Sequence, residues 1–314
     1  MPRVRCVPVL VAAMVLMGPL ALRAQTSPAT VGAPVSPGAR TFGGVSEDHI
    51  LEAIRTERIV GRQQVGSTSV NIHLRLHGDV DAAFKPRAQG HFEDYRAEIA
   101  AFRVNRLLGL QRVPPAISRT LTRAQLNLSA TTPVLADRDG SIRGAAIYWV
   151  PVLRESMIDR ERDIARWSSW LSQRGTVPAD QLARAEEISS LLVFDYLIGN
   201  WDRWSGQNVP MDAAGHLIYR DNNGGFGEPW VDSLNQRVLR WLRRSQRFSR
   251  GVIDRARAWT EASVRAEMSL DPDTAHPPLS NAQIASLLRR RDTLIAYVDA
   301  LVHQHGAAAV FPWP

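Results

Sequence analysis

The chain changes character near its middle, and this change constrains the fold more than any other feature. Between Val65 and Val150, short runs of alternating apolar and polar residues are separated by glycine-containing turns, as in antiparallel strands. From Ala179 onward, most segments instead repeat apolar residues at helical spacing. Strands followed by helices are typical of an α+β fold. The sequence therefore predicts one large domain or two lobes, with a β-rich part over residues 45–150 and a mainly helical part over residues 151–314.

The N-terminus has the pattern of an export signal. A short basic start is followed by the apolar stretch Val7–Leu22 and by a small residue, Ala24, before Gln25. We expect residues 1–24 to be a cleaved signal peptide and residues 25–44, which are rich in Pro, Gly, Ala, Ser and Thr, to be a flexible linker. No later stretch has the composition of a membrane span. The mature protein is therefore expected in the periplasm or outside the cell.

Cysteine usage and charge exclude several classes of protein. The only cysteine, Cys6, precedes the apolar stretch, so we expect no disulfide and no cysteine-based zinc site in the exported protein. The formal net charge is +7, but zinc-finger spacing and RNA-binding aromatic signatures are absent, so nucleic acid is an unexpected partner. The most basic region runs from Arg237 to Arg250 at near-helical spacing. A solvated helix face is the expected explanation, and docking of an acidic or phosphorylated partner is the alternative.

Capping residues and apolar periodicity define the individual elements. Ser46 is expected to begin a helix, Gly109 to end one, and Ser280 with Gln283 to form a capping box. The predicted helices are Tyr95–Leu108, Ala179–Ile198, Leu234–Ser249, Val252–Met268 and Ser280–Val302. The predicted strands include Val70–Leu76, a strand carrying Lys85, Gly144–Val150 and Leu217–Arg220.

Lys85 is the only lysine among 38 basic residues. A compact ammonium on a flexible stem binds phosphate as a point charge, whereas a guanidinium is a broad planar fork. Lys85 is therefore a candidate phosphate ligand, although one lysine can also survive by chance. The turn that contains Gly66 and Ser67 precedes it and is a candidate for presenting backbone N–H groups to phosphate.

Two segments of the helical half complete a possible phosphoryl-transfer site. In the first, Asp202 follows a buried helix and Asn208 comes shortly after it; in the second, Asp221 enters a glycine-rich turn. Phosphoryl transfer needs a lysine on the phosphates, one carboxylate to orient the attacking hydroxyl, and a second carboxylate with an amide oxygen for divalent metal. Each residue alone has an ordinary explanation as a turn or cap residue. The ordered set Lys85, Asp202, Asn208 and Asp221 favours a catalytic site.

Several motifs together resemble the kinase domain of the Golgi casein kinase family, the secretory-pathway kinases. The similar segments span approximately Val65 to Gly227, and they include Phe84–Pro86, Ala97–Arg103, Leu107–Gly109, Arg112–Pro115, Phe194–Arg203 and Asp221–Gly227. The resemblance implies a two-lobed atypical protein-kinase-like fold with a nucleotide-binding lysine in the β-rich lobe. It also implies an enzyme that transfers the γ-phosphate of ATP to a protein Ser/Thr or glycan hydroxyl, with Mg²⁺ or Mn²⁺.

The resemblance also implies roles for individual residues. Lys85 would bind the nucleotide phosphates, Asp202 would be the catalytic base, and Asp221 and Glu98 would bind metal. Asn208 is similar to the amide ligand of phosphatidylinositol kinases and HipA-type kinases. One departure is that Trp204 and the following serine stand where the family has histidines. The acceptor, the preferred metal and the oligomeric state stay open.

Two other functions remain alternatives at this point. A catalytically silent, pseudokinase-like protein would bind nucleotide or serve as a scaffold without turnover, and the altered loop at Trp204 favours this reading. A binder of nucleic acid or of anionic surfaces would act through Arg237–Arg250 and would not depend on Asp202. The presence of Lys85, Glu98 and both aspartates favours the enzyme.

Overall fold

The computed structural model describes residues 40–66, 69–88, 94–206, 208–227 and 232–313. Strands in this part of the chain are β1 (Thr41–Phe42), β2 (Val45–Ser46), β3 (Ile59–Val65), β4 (Asn71–Leu76), β5 (Ala82–Pro86), β6 (Ala116–Thr122) and β7 (Ser141–Tyr148). The helices of the first half are α1 (Glu47–Thr56), α2 (Arg96–Leu108), α3 (Arg123–Leu126) and α4 (Glu161–Trp170). Those of the second half are α5 (Leu182–Ile198), α6 (Asp232–Leu242), α7 (Arg250–Arg257), α8 (Glu261–Met268), α9 (Asn281–His305) and α10 (Ala307–Val310).

Five strands form one antiparallel sheet in the order β3-β4-β5-β7-β6. The alternation predicted for β4 is present, because Ile72, Leu74 and Leu76 are buried. β5 lies in the middle of the sheet and pairs Lys85 with Ala145 of β7. β5 is held between β4 and β7, and the pairing with β7 fixes the backbone at Lys85.

The N-terminal elements cover one side of this lobe. Ser46 begins α1, and its hydroxyl accepts a hydrogen bond from the backbone N–H of His49 at 3.5 Å, as the sequence predicts. Before α1, strands β1 and β2 pair as a short hairpin, and the buried ring of Phe42 meets Tyr148 edge-on at 5.8 Å. Strand β1 therefore lies within the predicted linker, residues 25–44.

Helix α2 contacts both the sheet and the C-terminal helices. It contacts β6 and β7 of the sheet, while Ile99 and Phe102 are fully buried in the core formed mainly by the C-terminal helices. Gly109 ends α2 in the left-handed region at φ 67°, as predicted. Because α2 is buried on nearly every side, its polar residue Glu98 is held at a fixed place between the sheet and the helices.

The helical half is built around α5 and α9, which contact each other. The last three turns of α5 are almost completely buried, and Gly199 ends the helix at φ 70°. Ser280 and Gln283 form the predicted capping box at the start of α9. The prediction of a two-lobed α+β fold is confirmed. The lobe boundary at residues 150 and 151 stays a prediction.

Three predicted elements of the second half are wrong. The helix predicted over Leu234–Ser249 ends at Leu242, and the segment Val252–Met268 contains two helices because Thr260 caps α8 with Ser263. Leu217–Arg220 is not a strand; Leu217 makes only an isolated bridge. The sequence analysis also missed β6 and α4.

These breaks remove the basic helix face predicted from Arg237 to Arg250. Arg247 lies beyond the end of α6, and its guanidinium donates to the backbone carbonyls of Trp170 and Gln173 at 3.0 and 3.1 Å. Arg250 lies 4.4 Å from the ring centre of Phe311. These arginines stabilise the fold and do not form one continuous surface on a single helix.

No helix in the described ranges is long and apolar enough to cross a membrane. The predicted signal peptide and most of the predicted linker lie outside the described residues.

Candidate active site

The single lysine joins two distant acidic side chains. The Lys85 ammonium contacts Glu98 Oε1 on α2. It also lies 2.7 Å from Oδ1 of Asp221, which is in the loop that follows the isolated bridge at Leu217. Only 18% of the Lys85 side chain is exposed. The structure therefore brings together three of the predicted site residues at the junction of the sheet and the helices.

The electrostatics of this group keep Lys85 and Asp221 charged. Burial alone would lower the pKa of Lys85, but the two carboxylates raise it above its ordinary value. Burial would raise the pKa of Asp221, yet the Lys85 ammonium outweighs burial and holds that pKa below its ordinary value. Asp221 is consequently a carboxylate at any pH near neutrality, which is the form that binds phosphate-bound metal.

Glu98 connects Lys85 to the loop that carries Asp221. Its Oε1 accepts the backbone N–H of Asn222 at 3.1 Å as well as the lysine, and its Oε2 accepts the Asn222 side-chain amide at 3.1 Å. These bonds use three of the roughly four lone-pair positions of a carboxylate. Glu98 therefore mainly positions Lys85 and the loop that carries Asp221. One of its lone-pair positions stays available to a metal.

Asp221 has an unusual backbone conformation. Its φ is 59°, in the left-handed region that disfavours side chains other than those of Gly, Asn and Asp. Phe226 in the same loop also has a positive φ, at 57°. Such strain of order 1–3 kcal/mol per residue persists only where surrounding contacts enforce it, and it concentrates at functional sites. The strain turns the Asp221 carboxylate toward Lys85, and 43% of its side chain stays exposed.

The loop with Asp202 is tied directly to the loop with Asp221. The Asn200 side-chain oxygen accepts the backbone N–H of Asp202 at 3.1 Å, and its amide nitrogen donates to the Asp221 carbonyl at 3.4 Å. Asp202 itself is half-buried. Among the described residues, its carboxylate makes no hydrogen bond, so it is available to a ligand.

Arg203 is the buried centre of this arrangement, and the sequence analysis assigned it no role. Its side chain is fully buried and donates to both carboxylate oxygens of Asp195 at 3.0 and 3.1 Å. It also donates to the Asn208 carbonyl at 3.2 Å, to the Arg220 carbonyl and to the side-chain oxygen of Asn222 at 2.6 Å. Burial raises the pKa of Asp195 to about 6, while Arg203 opposes the shift. One guanidinium thus holds the end of α5 and both acidic loops together.

Asn208 lies at the end of the Asp202 loop. Its side-chain nitrogen donates to the Asp202 carbonyl at 3.3 Å and to Ser205 Oγ at 3.4 Å. No hydrogen bond of its side-chain oxygen is formed within the described ranges. The amide oxygen therefore has the chemistry and the freedom that a metal ligand needs.

Residues at the start of β4 lie near Lys85. Ser69 and Asn71 line the same small cavity as Lys85 and Asn223. Gly66 has φ 79°, so only a residue tolerant of the left-handed region fits there, and a Cβ at Gly66 would lie 3.9 Å from the side-chain nitrogen of Asn71. Gly66 does not itself line that cavity, and the predicted Ser67 lies outside the described residues.

The donor set fits a hard divalent cation held jointly with a nucleotide. Within the described part of the chain, no three His, Cys, Asp or Glu side chains form a cluster able to hold a metal alone. Mg²⁺ is typically bound by one or two carboxylates together with substrate phosphates. Asp221, the remaining acceptor of Glu98 and the Asn208 amide match that requirement, because all three supply oxygen.

A two-lobed fold with a lysine–glutamate pair at the sheet and acidic loops in the helical half defines a protein-kinase-like molecule.

No family model matches the chain. The chain is 27% identical to the human "Glycosaminoglycan xylosylkinase" over 323 residues, which cover 83% of this chain and 76% of the relative. It is 23% identical to the human "Extracellular serine/threonine protein kinase FAM20C" over 325 residues, which cover 83% of this chain and 55% of the relative. The human "Pseudokinase FAM20A" is also similar, at 23% over 267 residues and with coverages of 70% and 49%.

Solved structures show the same fold. The structure of hydra Fam20 with sugar matches with a TM-score of 0.63 and 22% identity, covering 83% of this chain and 90% of that one. The Golgi casein kinase with Mn/ADP bound matches with a TM-score of 0.62 and 19% identity, covering 84% and 78%. The resemblance to the Golgi casein kinase family is confirmed.

Proposed function

We propose that this protein is an exported, ATP-dependent kinase that transfers the γ-phosphate to a hydroxyl group with the help of Mg²⁺ or Mn²⁺. One observation carries the proposal: the Lys85 ammonium bridges Glu98 and Asp221, and Asn200 joins that group to Asp202. The similar xylosylkinase, protein kinase and Mn/ADP-bound structure support the same reaction. Export is supported by the N-terminal pattern and by the relative named as extracellular.

Each residue has a distinct task in this proposal. Bound metal would neutralise charge between the phosphates, with Asp221, Asn208 and the free acceptor of Glu98 as its protein ligands. Lys85 binds phosphate oxygens as a point charge, and the backbone N–H of Gly66 is a second candidate donor to them. Asp202 accepts the proton of the attacking hydroxyl and orients its oxygen. Catalysis then consists of positioning and charge stabilisation, without a covalent enzyme intermediate.

The acceptor approaches beside the two acidic loops. A cavity of about 380 Å³ is lined by Val209 and Pro210, just after Asn208, and by Arg220, just before Asp221. Its other walls carry both signs of charge, from Arg154 and Arg160 and from Glu155 and Asp159. The lining therefore does not select the charge of the acceptor, and an acidic protein and a xylose-containing glycan are both consistent with the relatives.

Phosphate transfer from labelled ATP tests the proposal. The protein is incubated with Mn²⁺ or Mg²⁺ and with casein or a β-xyloside, beside an Asp202→Asn variant that preserves size and turn propensity. We expect label in an acceptor with the wild type and at least a 100-fold lower rate with the variant, on the order of a lost catalytic base. Equal transfer by both proteins would refute the assigned base.

The pseudokinase-like alternative makes a different prediction for the same experiment. It is favoured by the similarity to the human pseudokinase and by Trp204 in the catalytic loop. It requires metal-dependent ATP binding, measured by calorimetry, without transfer to casein, to the xyloside or to water. Asp202→Asn would then leave the nucleotide affinity unchanged.

Lys85→Arg is expected to lower transfer by about 100-fold, which is the usual scale for a misplaced group at a reacting centre. The ammonium fits between two carboxylates, one of them at 2.7 Å, and a planar guanidinium is too broad for that space. Because arginine retains the positive charge of lysine, this substitution tests the shape of the cationic group alone. ATP titration and transfer rates of the variant would check this, with the exposed Arg257→Lys change as a control. Full activity of Lys85→Arg would contradict the role of the ammonium.

Gly224→Ala is expected to lower transfer by about 10- to 100-fold through the catalytic loop. A Cβ at Gly224 would lie 2.8 Å from Asn200 Oδ1 and 3.0 Å from Asp202 Cβ, so the loop must shift. Gly227→Ala is the matched control, since a Cβ there meets nothing within 4 Å. Steady-state transfer rates of Gly224→Ala and Gly227→Ala test this expectation. An equal loss of rate in both variants would show that the effect is not specific to the Asp202 loop.

A further inference from the structure

Both tryptophans that flank Asp202 and Arg203 contact one face of α6. The Arg237 guanidinium lies 5.6 Å from the ring centre of Trp201. The Trp241 ring stacks on Trp204 with centroids 4.5 Å apart and planes at 19°. Arg237 and Trp241 are four residues apart on α6, so they lie on the same side of the helix. One helix face therefore holds the catalytic loop on both sides of Asp202.

A second layer fixes the Trp204–Trp241 pair. Trp167 on α4 lies 5.4 Å from Trp204, is almost fully buried, and donates its indole N–H to the Ile158 carbonyl at 2.8 Å. The Arg244 guanidinium lies 4.7 Å from the Trp241 ring centre. Aromatic stacking and cation–π contacts each add to the stability of such a cluster beyond the burial of area. Trp204 is thus held by rings from two different helices.

Asp202 depends on its backbone for its position. Within the described part of the chain its carboxylate makes no hydrogen bond, whereas its backbone N–H donates to Asn200 Oδ1 and its carbonyl accepts the Ser205 N–H at 3.1 Å. Trp204 lies inside this turn and has a non-helical φ of −98° and ψ of 18°. A shift of the Trp204 ring therefore moves the turn that aims the Asp202 carboxylate.

We propose that Trp204 and Trp241 are positioning residues for phosphate transfer, and that their stack sets the orientation of Asp202. This inference rests on the proposed kinase function. The stack joins the catalytic loop at Trp204 to Trp241 on α6. A positioning residue of this kind acts on the turnover rate and leaves nucleotide binding at Lys85 and Asp221 intact.

Four substitutions test the inference: Trp204→Ala, Trp204→Phe, Trp241→Ala and, as a control, Trp259→Ala. Trp259 is a buried tryptophan between α7 and α8, so its loss reports general destabilisation. We expect Trp204→Ala and Trp241→Ala to lower kcat by about 10- to 100-fold with an unchanged KM for ATP. Trp204→Phe keeps a stacking ring and is expected to restore most of kcat. Trp259→Ala is expected to lower the melting temperature without changing the kcat of the folded enzyme.

A double-mutant cycle separates positioning from bulk stability. If Trp204 acts through Asp202, Trp204→Ala has no further effect on the residual rate of Asp202→Asn. A multiplicative loss in the double variant, or a normal kcat for Trp204→Ala, would overturn the inference.

Hydrogen exchange gives a readout that does not depend on activity. The Ser205 amide, which donates to the Asp202 carbonyl, is expected to exchange faster in Trp204→Ala and Trp241→Ala but not in Trp259→Ala. Unchanged protection of that amide would overturn the inference even if the wild type transferred no phosphate to casein, xyloside or water. Faster exchange with an inactive wild type would instead refute only the proposed function.

Discussion

Asp221→Asn is expected to lower kcat/KM for phosphate transfer by about three orders of magnitude, the scale seen when a charge-stabilising group or its metal is lost. Asparagine has nearly the same shape and tolerates the φ of 59° at this position. It therefore preserves the loop while removing the anion. Because Lys85 holds the pKa of Asp221 below its ordinary value, the wild-type group is charged throughout the neutral range, and lowering the pH within that range does not mimic the change.

Metal dependence distinguishes this effect from misfolding. We expect the Mn²⁺ concentration for half-maximal activity to rise in Asp221→Asn, with a melting temperature close to that of the wild type. Asp299→Asn is a suitable control, because Asp299 forms only an exposed pair with Arg257. Normal Mn²⁺-dependent transfer by Asp221→Asn would remove Asp221 from the proposed metal site.

Arg203→Met is expected to reduce the free energy of unfolding by about 3–5 kcal/mol, the usual cost of leaving a buried charge without its partner. Arg203 is fully buried, and its Nε–H donates to both carboxylate oxygens of Asp195, whose pKa burial already raises to about 6. Methionine fills similar volume but supplies no donor for Asp195 or for the two loop carbonyls. The loss is therefore expected to separate the end of α5 from both acidic loops.

The pH dependence of this variant follows from the sign of the shift. A carboxyl whose folded-state pKa lies above its unfolded value is favourable at low pH and becomes unfavourable as pH rises through the folded pKa. Without Arg203 the pKa of Asp195 rises further, so the destabilisation is expected to be larger at pH 8 than at pH 5. Urea unfolding at both values measures it, and Arg257→Met in an exposed pair should cost about 1 kcal/mol or less. A similar small loss for Arg203→Met, or no pH dependence, would contradict the account.

The main parts of the site were predictable because each leaves a local mark in the sequence. Lys85 is alone among arginines, Asp202 follows a buried helix that ends in Gly199, and Asp221 precedes glycines. The order of such residues along the chain indicated one chemical task. The structure places Lys85, Glu98 and Asp221 in direct contact, although the catalytic roles themselves stay proposals.

The residues that hold the site together were not predictable in the same way. Asn200, Arg203 and Asn222 act through backbone carbonyls and amides of distant loops, and such partners have no fixed spacing in the sequence. The only available signal was Arg203 next to Asp202 after a helix with a buried acid, Asp195. A buried acid near a helix end calls for a cation, and this reasoning would have paired the two.

The errors in the helical half have a related cause. Apolar spacing continues across Ala258–Thr260, so periodicity alone joins α7 and α8. The side chain of Thr260 accepts the Ser263 N–H at 3.0 Å and caps a new helix. This local cap therefore divides the segment in two, although the apolar pattern continues. Beyond the end of α6 at Leu242, Arg247 binds the backbone carbonyls of Trp170 and Gln173, tertiary contacts that sequence spacing does not show.

The central claim is that Lys85, Asp221 and Asp202 surround one metal–nucleotide complex. Crystals grown with Mn²⁺ and a non-hydrolysable ATP analogue test it most directly, with data collected at the manganese absorption edge. We predict an anomalous peak at coordination distance from the Asp221 carboxylate, a phosphate oxygen on the Lys85 ammonium, and the γ-phosphate facing Asp202. Manganese and nucleotide bound elsewhere, with Lys85 still bridging Glu98 and Asp221, would contradict the account.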